Sequence, residues 1–221
     1  MAEIQAVTFD VGGTLIKPWP GVGEIYARVA RDHRVQGVSA EALDQRFSAV
    51  WRNQSHFNYT RDDWAILVKQ VFDGLTDVAT DTFFPALYEY FSKPAAWHLF
   101  DDVFPALDKL ASSGIRLAVI SNWDERLRPI LQALGLDRYF ETIVVSSEIG
   151  FHKPSPVIFE YAARKLGLRP NAILHIGDSQ ELDVAGAFEA GFHAMELCRL
   201  TGQVEKGRQI SSLMEIDVRS F

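Results

Sequence analysis

The sequence predicts an α/β protein, a parallel sheet with helices between its strands and an all-helical segment inserted after the first strand. Three observations predict it. Short apolar runs recur along the chain, and the last four alternate with helical patterns, the arrangement that builds a parallel sheet. Each of those helical patterns ends at a glycine, Gly114, Gly135, Gly167 and Gly191, the residue best suited to stop a helix. Between residues 21 and 92 the alternation lapses and only helical periodicity is left.

Taken in order, residues 4–10 carry Ile4, Ala6, Val7 and Phe9 and break at Gly12–Gly13, which reads as a buried strand. About four helical stretches follow, near 21–33, 39–54, 61–74 and 80–92, with no convincing strand. Their aromatic residues, Tyr26, Phe47, Trp51, Trp64, Phe72, Phe83, Phe84, Tyr88 and Phe91, read as packing between helices. Pro18 and Pro20 precede this segment and Lys93–Pro94 follows it. The expected division is therefore 1–16 with 96–221 as one domain, and 17–95 as the insertion. Further strands are expected at 116–121, 142–147, 172–177 and 193–198, with helices at 103–113, 125–134, 155–166 and 181–190.

The chain has 221 residues, is 48% hydrophobic and 23% charged, and carries a net charge of -7. That is the composition of an ordinary globular protein able to bury a core. It lacks the clustered basic surface of a nucleic-acid binder, so no nucleic-acid partner is expected. No apolar run approaches the roughly 20 residues that span a membrane, and the N-terminus shows no secretory signal pattern. The single cysteine, Cys198, excludes an internal disulfide and suits a reducing cytoplasm; it reads as a buried strand residue. A cytoplasmic monomer or dimer acting on a small molecule is the expectation.

Open parallel sheets bind ligands at the carboxyl ends of their strands. Those ends carry Asp10, Ser121–Asn122, and Asp178 with Asp183, while Lys153 lies on a Gly-Phe-His-Lys-Pro-Ser-Pro loop before a helix. Three acids with one lysine and small polar donors suit a divalent cation, a phosphate and an attacking carboxylate. His98, His152, His175 and His193 lack ligand spacing and read as structural or surface residues. Trp19 and Trp123 read as cleft walls or as packing residues.

With these residues in view the sequence resembles the haloacid dehalogenase superfamily. Four motifs occur in order: Asp10-Val11-Gly12-Gly13-Thr14-Leu15, the apolar strand closing on Ser121–Asn122, Lys153–Pro154, and Gly177-Asp178-Ser179 with Asp183 five residues after Asp178. The resemblance covers residues 1–16 and about 98–200. It implies a Rossmann-like parallel-sheet core with a helical cap inserted between the first two motifs. It also implies a small phosphorylated substrate and a Mg²⁺ cofactor held by Asp10, the Gly12 backbone carbonyl, Asp178 and Asp183. Asp10 would be the nucleophile that forms an aspartyl-phosphate. Lys153 would clamp it and the phosphoryl group, Ser121 would bind the phosphoryl group, and Thr14 and Asn122 would be supporting donors.

The departure is Gly12. Phosphatases of this superfamily carry an aspartate there as general acid and base, a function typically worth about 10²–10⁴-fold. Substrates with good leaving groups, such as acyl phosphates, suffer less in the first step. Asp124, Glu181 and His56 are the candidate replacements. The 2-haloacid dehalogenases also lack that acid and attack carbon without metal. The retained Asp178 and Asp183, and a glycine where those enzymes commonly have an aromatic, weigh against that alternative. A protein that binds a phosphorylated ligand or a partner without catalysis is the other alternative. The variable acid position also likens the chain to the rhythmically-expressed-gene-2-like branch.

Overall fold

The computed structural model describes residues 3–54, 57–75, 80–199 and 208–221. The chain forms two compact units, Met1–Ile16 with Leu99–Phe221, and Lys17–His98. The strands are β1 (Ala6–Phe9), β2 (Ile16–Pro18), β3 (Trp97–Leu99), β4 (Arg116–Ser121), β5 (Thr142–Val145), β6 (Ile173–Gly177), β7 (His193–Leu197) and β8 (Gln209–Ile210). Among the described residues no helix is long and apolar enough to cross a membrane.

In the helical unit lie α1 (Val22–Asp32), α2 (Ala40–Arg52), α3 (Arg61–Phe72) and α4 (Thr80–Tyr90). Thr60 and Asp63 cap α3 reciprocally: the Thr60 hydroxyl accepts from the Asp63 N–H and the Asp63 carboxylate accepts from the Thr60 N–H. The α1 N-terminus lacks a cap of its own and takes Asp44 from α2, whose Oδ1 accepts from Gly23 N–H at 2.6 Å. A Cβ on Gly23 would meet the Ala40 carbonyl at 2.1 Å, so glycine sets how closely the two helices cross. The aromatic residues are core, as expected: Trp51 and Trp64 stack at 5.8 Å, Tyr26 and Phe72 at 6.0 Å, and Phe57 meets Trp64 edge-on at 4.8 Å.

The other unit holds α5 (Val103–Ser112), α6 (Leu127–Ala133), α7 (Ser146–Ile149), α8 (Pro156–Leu166) and α9 (Gly186–Glu189). Its six strands form one sheet in the order β5-β4-β1-β6-β7-β8, every adjacent pair parallel. β1 is buried at all four residues, as a strand covered on both faces must be. Phe9 lies in register with Val119 of β4 and Ile176 of β6, and Thr8 with His175. Ile158, Phe159, Ala162 and Leu166 of α8 join Ala118, Ile120, Ile173 and Ala194 of the sheet in one apolar cluster. Ser155 caps α8 through Val157 N–H with Pro156 in the first turn, and Gly167 stops it at φ 64°.

Several boundaries differ from expectation, each for a local reason. The strand expected over 142–147 ends at Val145, because the Ser146 hydroxyl is drawn to the Trp123 backbone and α7 begins there. The helix expected over 181–190 starts as a π-helix, Gln180–Ala185, with Val184 N–H reaching back to the Ser179 carbonyl, and only Gly186–Glu189 is α-helical. Periodicity also missed three short strands, β2 and β3, which pair with each other, and β8 at the sheet edge. Cys198 lies just past β7 and is half-buried.

Candidate active site at the exits of the central strands

Asp10 follows β1 directly, its N–H donating to the Ile176 carbonyl at 2.9 Å. Ser121 ends β4 and donates its hydroxyl to Asp10 Oδ1 at 3.2 Å. Lys153 Nζ donates to the same Asp10 oxygen at 2.6 Å and to Asp183 Oδ1 at 2.5 Å, with its side chain only 2% exposed. Asn122, expected as a supporting donor to substrate, has its amide on the Lys153 backbone. Its Nδ2 donates to the Lys153 carbonyl at 2.9 Å and its Oδ1 accepts from the Lys153 N–H at 2.7 Å.

Asp178 and Asp183 follow β6 but differ in surroundings. The helix cap is Ser179, whose hydroxyl accepts from Leu182 N–H, so Asp178 is not spent on capping and stands exposed at the strand exit. Asp183 is buried inside the π-helix. Its Oδ1 meets Lys153 and, at 3.1 Å, His175 Nε2, while Oδ2 accepts from Ser179 N–H. Two glycines make room for these acids. A Cβ on Gly13 would lie 2.1 Å from Asp178 Oδ2, and one on Gly177 would lie 2.1 Å from the Asp183 carboxyl carbon. Gly13 also holds φ +82°, so Gly13→Ala both strains the backbone and displaces Asp178. An unfolding free energy about 1–3 kcal/mol below wild type in urea titration is the expected outcome.

Donors of Asp10, Asp178 and Asp183 all lie within 4.8 Å of one another. Burial, and then the Asp183 charge, push the Asp10 carboxyl up against the pull of Lys153. Burial would likewise raise Asp183, but Lys153 and His175 hold it well below the usual carboxylate range. Desolvation would lower the Lys153 ammonium; Asp10 and Asp183 overcome this and raise it, so it stays charged. Asp178 is pushed up to about 7 by desolvation and by the Asp10 and Asp183 charges. Its exposed face lets water screen part of that effect, while the repulsion from two neighbouring acids sets its direction.

Thr14 is buried with its hydroxyl unpartnered among the described residues. Its carbonyl accepts from Arg199 Nη2 at 2.7 Å and Nε at 3.2 Å. Arg199 also pairs with both oxygens of Asp102 and lies 3.8 Å over the Phe100 ring. This brace on the β1 exit loop was missed in the sequence because its partners are far apart along the chain. Gly12 has no left-handed φ, and a Cβ there would come 3.3 Å from Trp123 Cζ3, so the Trp123 ring borders that position. Of the candidate acid replacements, Asp124 is bound by Arg126 at 2.6 Å, Glu181 is exposed on the π-helix, and His56 lies outside the described residues.

The family profile for haloacid dehalogenase-like hydrolases matches residues 4–191. The chain belongs to that family. It is 36% identical over 204 residues to human haloacid dehalogenase-like hydrolase domain-containing protein 3, covering 87% of this chain and 81% of that protein. It is 30% identical over 233 residues to (S)-2-haloacid dehalogenase 4A of Burkholderia cepacia, covering 97% and 94%. The rhythmically expressed gene 2 protein of Drosophila melanogaster is 28% identical over 216 residues, covering 88% and 83%. Among solved structures, a HAD phosphatase of Thermococcus onnurineus superposes with a TM-score of 0.69 at 25% identity, over 96% of this chain and 95% of that one. The family thus includes proteins named for carbon–halogen and for phosphate chemistry on one fold, and the local site must separate them.

Proposed function

We propose that this hydrolase cleaves small phosphorylated molecules through an aspartyl-phosphate on Asp10, with Mg²⁺ as cofactor. The observation that carries this reading is the clustering of Asp10, Asp178 and Asp183 within 4.8 Å, with Lys153 on two of them. One ammonium cannot neutralise three carboxylates, and hard oxygen donors at this spacing fit a small divalent cation. Asp10, Asp178 and the Gly12 carbonyl would hold it. Asp183, whose oxygens already accept three hydrogen bonds, stands as a supporting acid more than a direct ligand. The cation would supply charge neutralisation for the phosphoryl oxygens.

The residues of this chain do the rest. Ser121 and Lys153 orient the Asp10 carboxylate through Oδ1. Asp10 attacks phosphorus, the bond from phosphorus to the leaving oxygen breaks, and Lys153 offsets the charge on the transferred group. Water then attacks phosphorus and the Asp10–phosphorus linkage breaks, releasing inorganic phosphate. Gly12 offers no proton to the leaving oxygen, so substrates that leave as stable anions, acyl phosphates above all, are favoured.

The test is phosphate release from acetyl phosphate and a panel of phosphate esters, with and without Mg²⁺, beside Asp10→Asn. Release that needs both Mg²⁺ and Asp10 is expected. Because protons compete with the cation for Asp178, Mg²⁺ affinity should weaken as pH falls below about 7. Release no greater than that of Asp10→Asn overturns the reading. The likeness to the Burkholderia enzyme and the lack of an acid at position 12 favour a second one, in which Asp10 displaces halide from a 2-haloacid carbon; halide release without metal would mark it. Mg²⁺ binding without turnover would mark a binding protein.

A further inference from the structure

His175 is fully buried in the middle of β6, and both of its ring nitrogens are engaged. Nδ1 lies 2.9 Å from the Thr8 hydroxyl on the neighbouring strand β1, and Nε2 lies 3.1 Å from Asp183 Oδ1. Phe159 packs edge-on against the ring at 5.2 Å. These contacts fix the tautomer. The Asp183 carboxylate can only accept, so Nε2 carries the proton, and Nδ1 then accepts from the Thr8 hydroxyl. Asp183 Oδ1 in turn accepts from Lys153 Nζ, which also donates to Asp10. A continuous chain of hydrogen bonds therefore runs from Thr8 through His175, Asp183 and Lys153 to Asp10.

We propose that Thr8 and His175 are positioning residues: the pair holds Asp183 in one orientation, and Asp183 holds the Lys153 ammonium on Asp10. The inference builds on the Asp10–Lys153 centre proposed above. An isolated lysine between two carboxylates could swing with either of them. Asp183 anchored by His175 Nε2–H and by Ser179 N–H cannot turn without losing two donors. The register of β1 and β6, which sets Thr8 opposite His175, makes the anchor part of the sheet. Outer hydrogen bonds of this kind fix the orientation and basicity of the groups they touch.

The experiment uses the metal-free protein and needs no turnover. Nitrogen-detected NMR reads two signals at neutral pH: the His175 ring, assigned by its loss in His175→Gln, and the Lys153 ammonium, assigned by its loss in Lys153→Arg. Wild type should show His175 as the Nε2–H tautomer and Lys153 as a slowly exchanging ammonium. Thr8→Val, which removes only the hydroxyl partner, should keep the Nε2–H tautomer that Asp183 sets but leave Nδ1 without a donor and the ring less firmly held. It should also speed Lys153 proton exchange about threefold or more, the effect of losing one neutral hydrogen bond. His175→Leu, which removes the donor to the Asp183 carboxylate, should speed Lys153 exchange about tenfold or more, and His175→Gln, which keeps a donor toward Asp183, should restore slow exchange. The backbone amide spectrum serves as the fold control. Unchanged Lys153 exchange in both Thr8→Val and His175→Leu, with native backbone spectra, overturns the proposal, as does an Nδ1–H tautomer in wild type. If the NMR results hold while no substrate is turned over, the relay stands and the phosphatase reading falls.

Discussion

Replacing Lys153 with methionine should lower the unfolding free energy by about 3–5 kcal/mol, the usual result of removing one member of a buried ion pair. Lys153 is 2% exposed and shared between Asp10 and Asp183. Methionine fills most of the volume but leaves two buried carboxylates facing each other without a cation. In a chain of this size each kcal/mol is worth about 2–4 °C in Tm, so the drop is large in both thermal and denaturant unfolding. Adding Asp183→Asn to the Lys153→Met protein should recover part of the loss by removing one of the stranded charges. A loss below about 1 kcal/mol, the range of exposed pairs, would mean that solvent reaches this cluster and that Lys153 does not organise it.

Gly12→Asp should raise turnover of ordinary phosphate esters by about 10²–10⁴-fold, the usual contribution of a positioned general acid. Acetyl phosphate, whose leaving group departs as a stable anion, should gain far less. The backbone at Gly12 is open to an L side chain, and the one close neighbour is Trp123 Cζ3 at 3.3 Å, which must give by a few tenths of an ångström. The Trp123 backbone is tied to Ser146, with its N–H on the Ser146 hydroxyl at 3.0 Å and that hydroxyl on its carbonyl at 3.1 Å. The indole therefore yields by side-chain rotation while the β4 exit stays in place. Turnover of esters unchanged from wild type, with the variant folded, would show that position 12 does not face the leaving group.

The strand exits were legible because each combines an apolar run with an abrupt polar break, and Asp10, Ser121 and Asp178 stand at those breaks. Lys153 was legible only through its motif, since its loop has no periodicity. The π-helix was not legible: a run from Glu181 to Ala190 has ordinary helical spacing, and only the pull of Lys153 and His175 on Asp183 identifies the inward-turned residue. His175 was read as structural or surface because histidines were judged by ligand spacing along the chain. The available signal was different, a histidine inside a fully apolar strand with a threonine at the matching place in β1. Asn122 illustrates the reverse case. Its place just after β4 was legible, but its bonds to the Lys153 backbone depend on a loop 31 residues away.

The central place of β1 has a practical meaning for any preparation of this protein. Asp10, Ser121 and Asp178 issue from β1, β4 and β6, three adjacent strands with β5 outside them on one side and β7 and β8 on the other. Fraying begins at edges and termini, where protection is weakest. The reactive groups therefore sit on the last part of the sheet to open. A sample that has lost half its activity on storage or mild heating should contain half as many intact molecules, each as active as before, and not a uniform population of weakened ones.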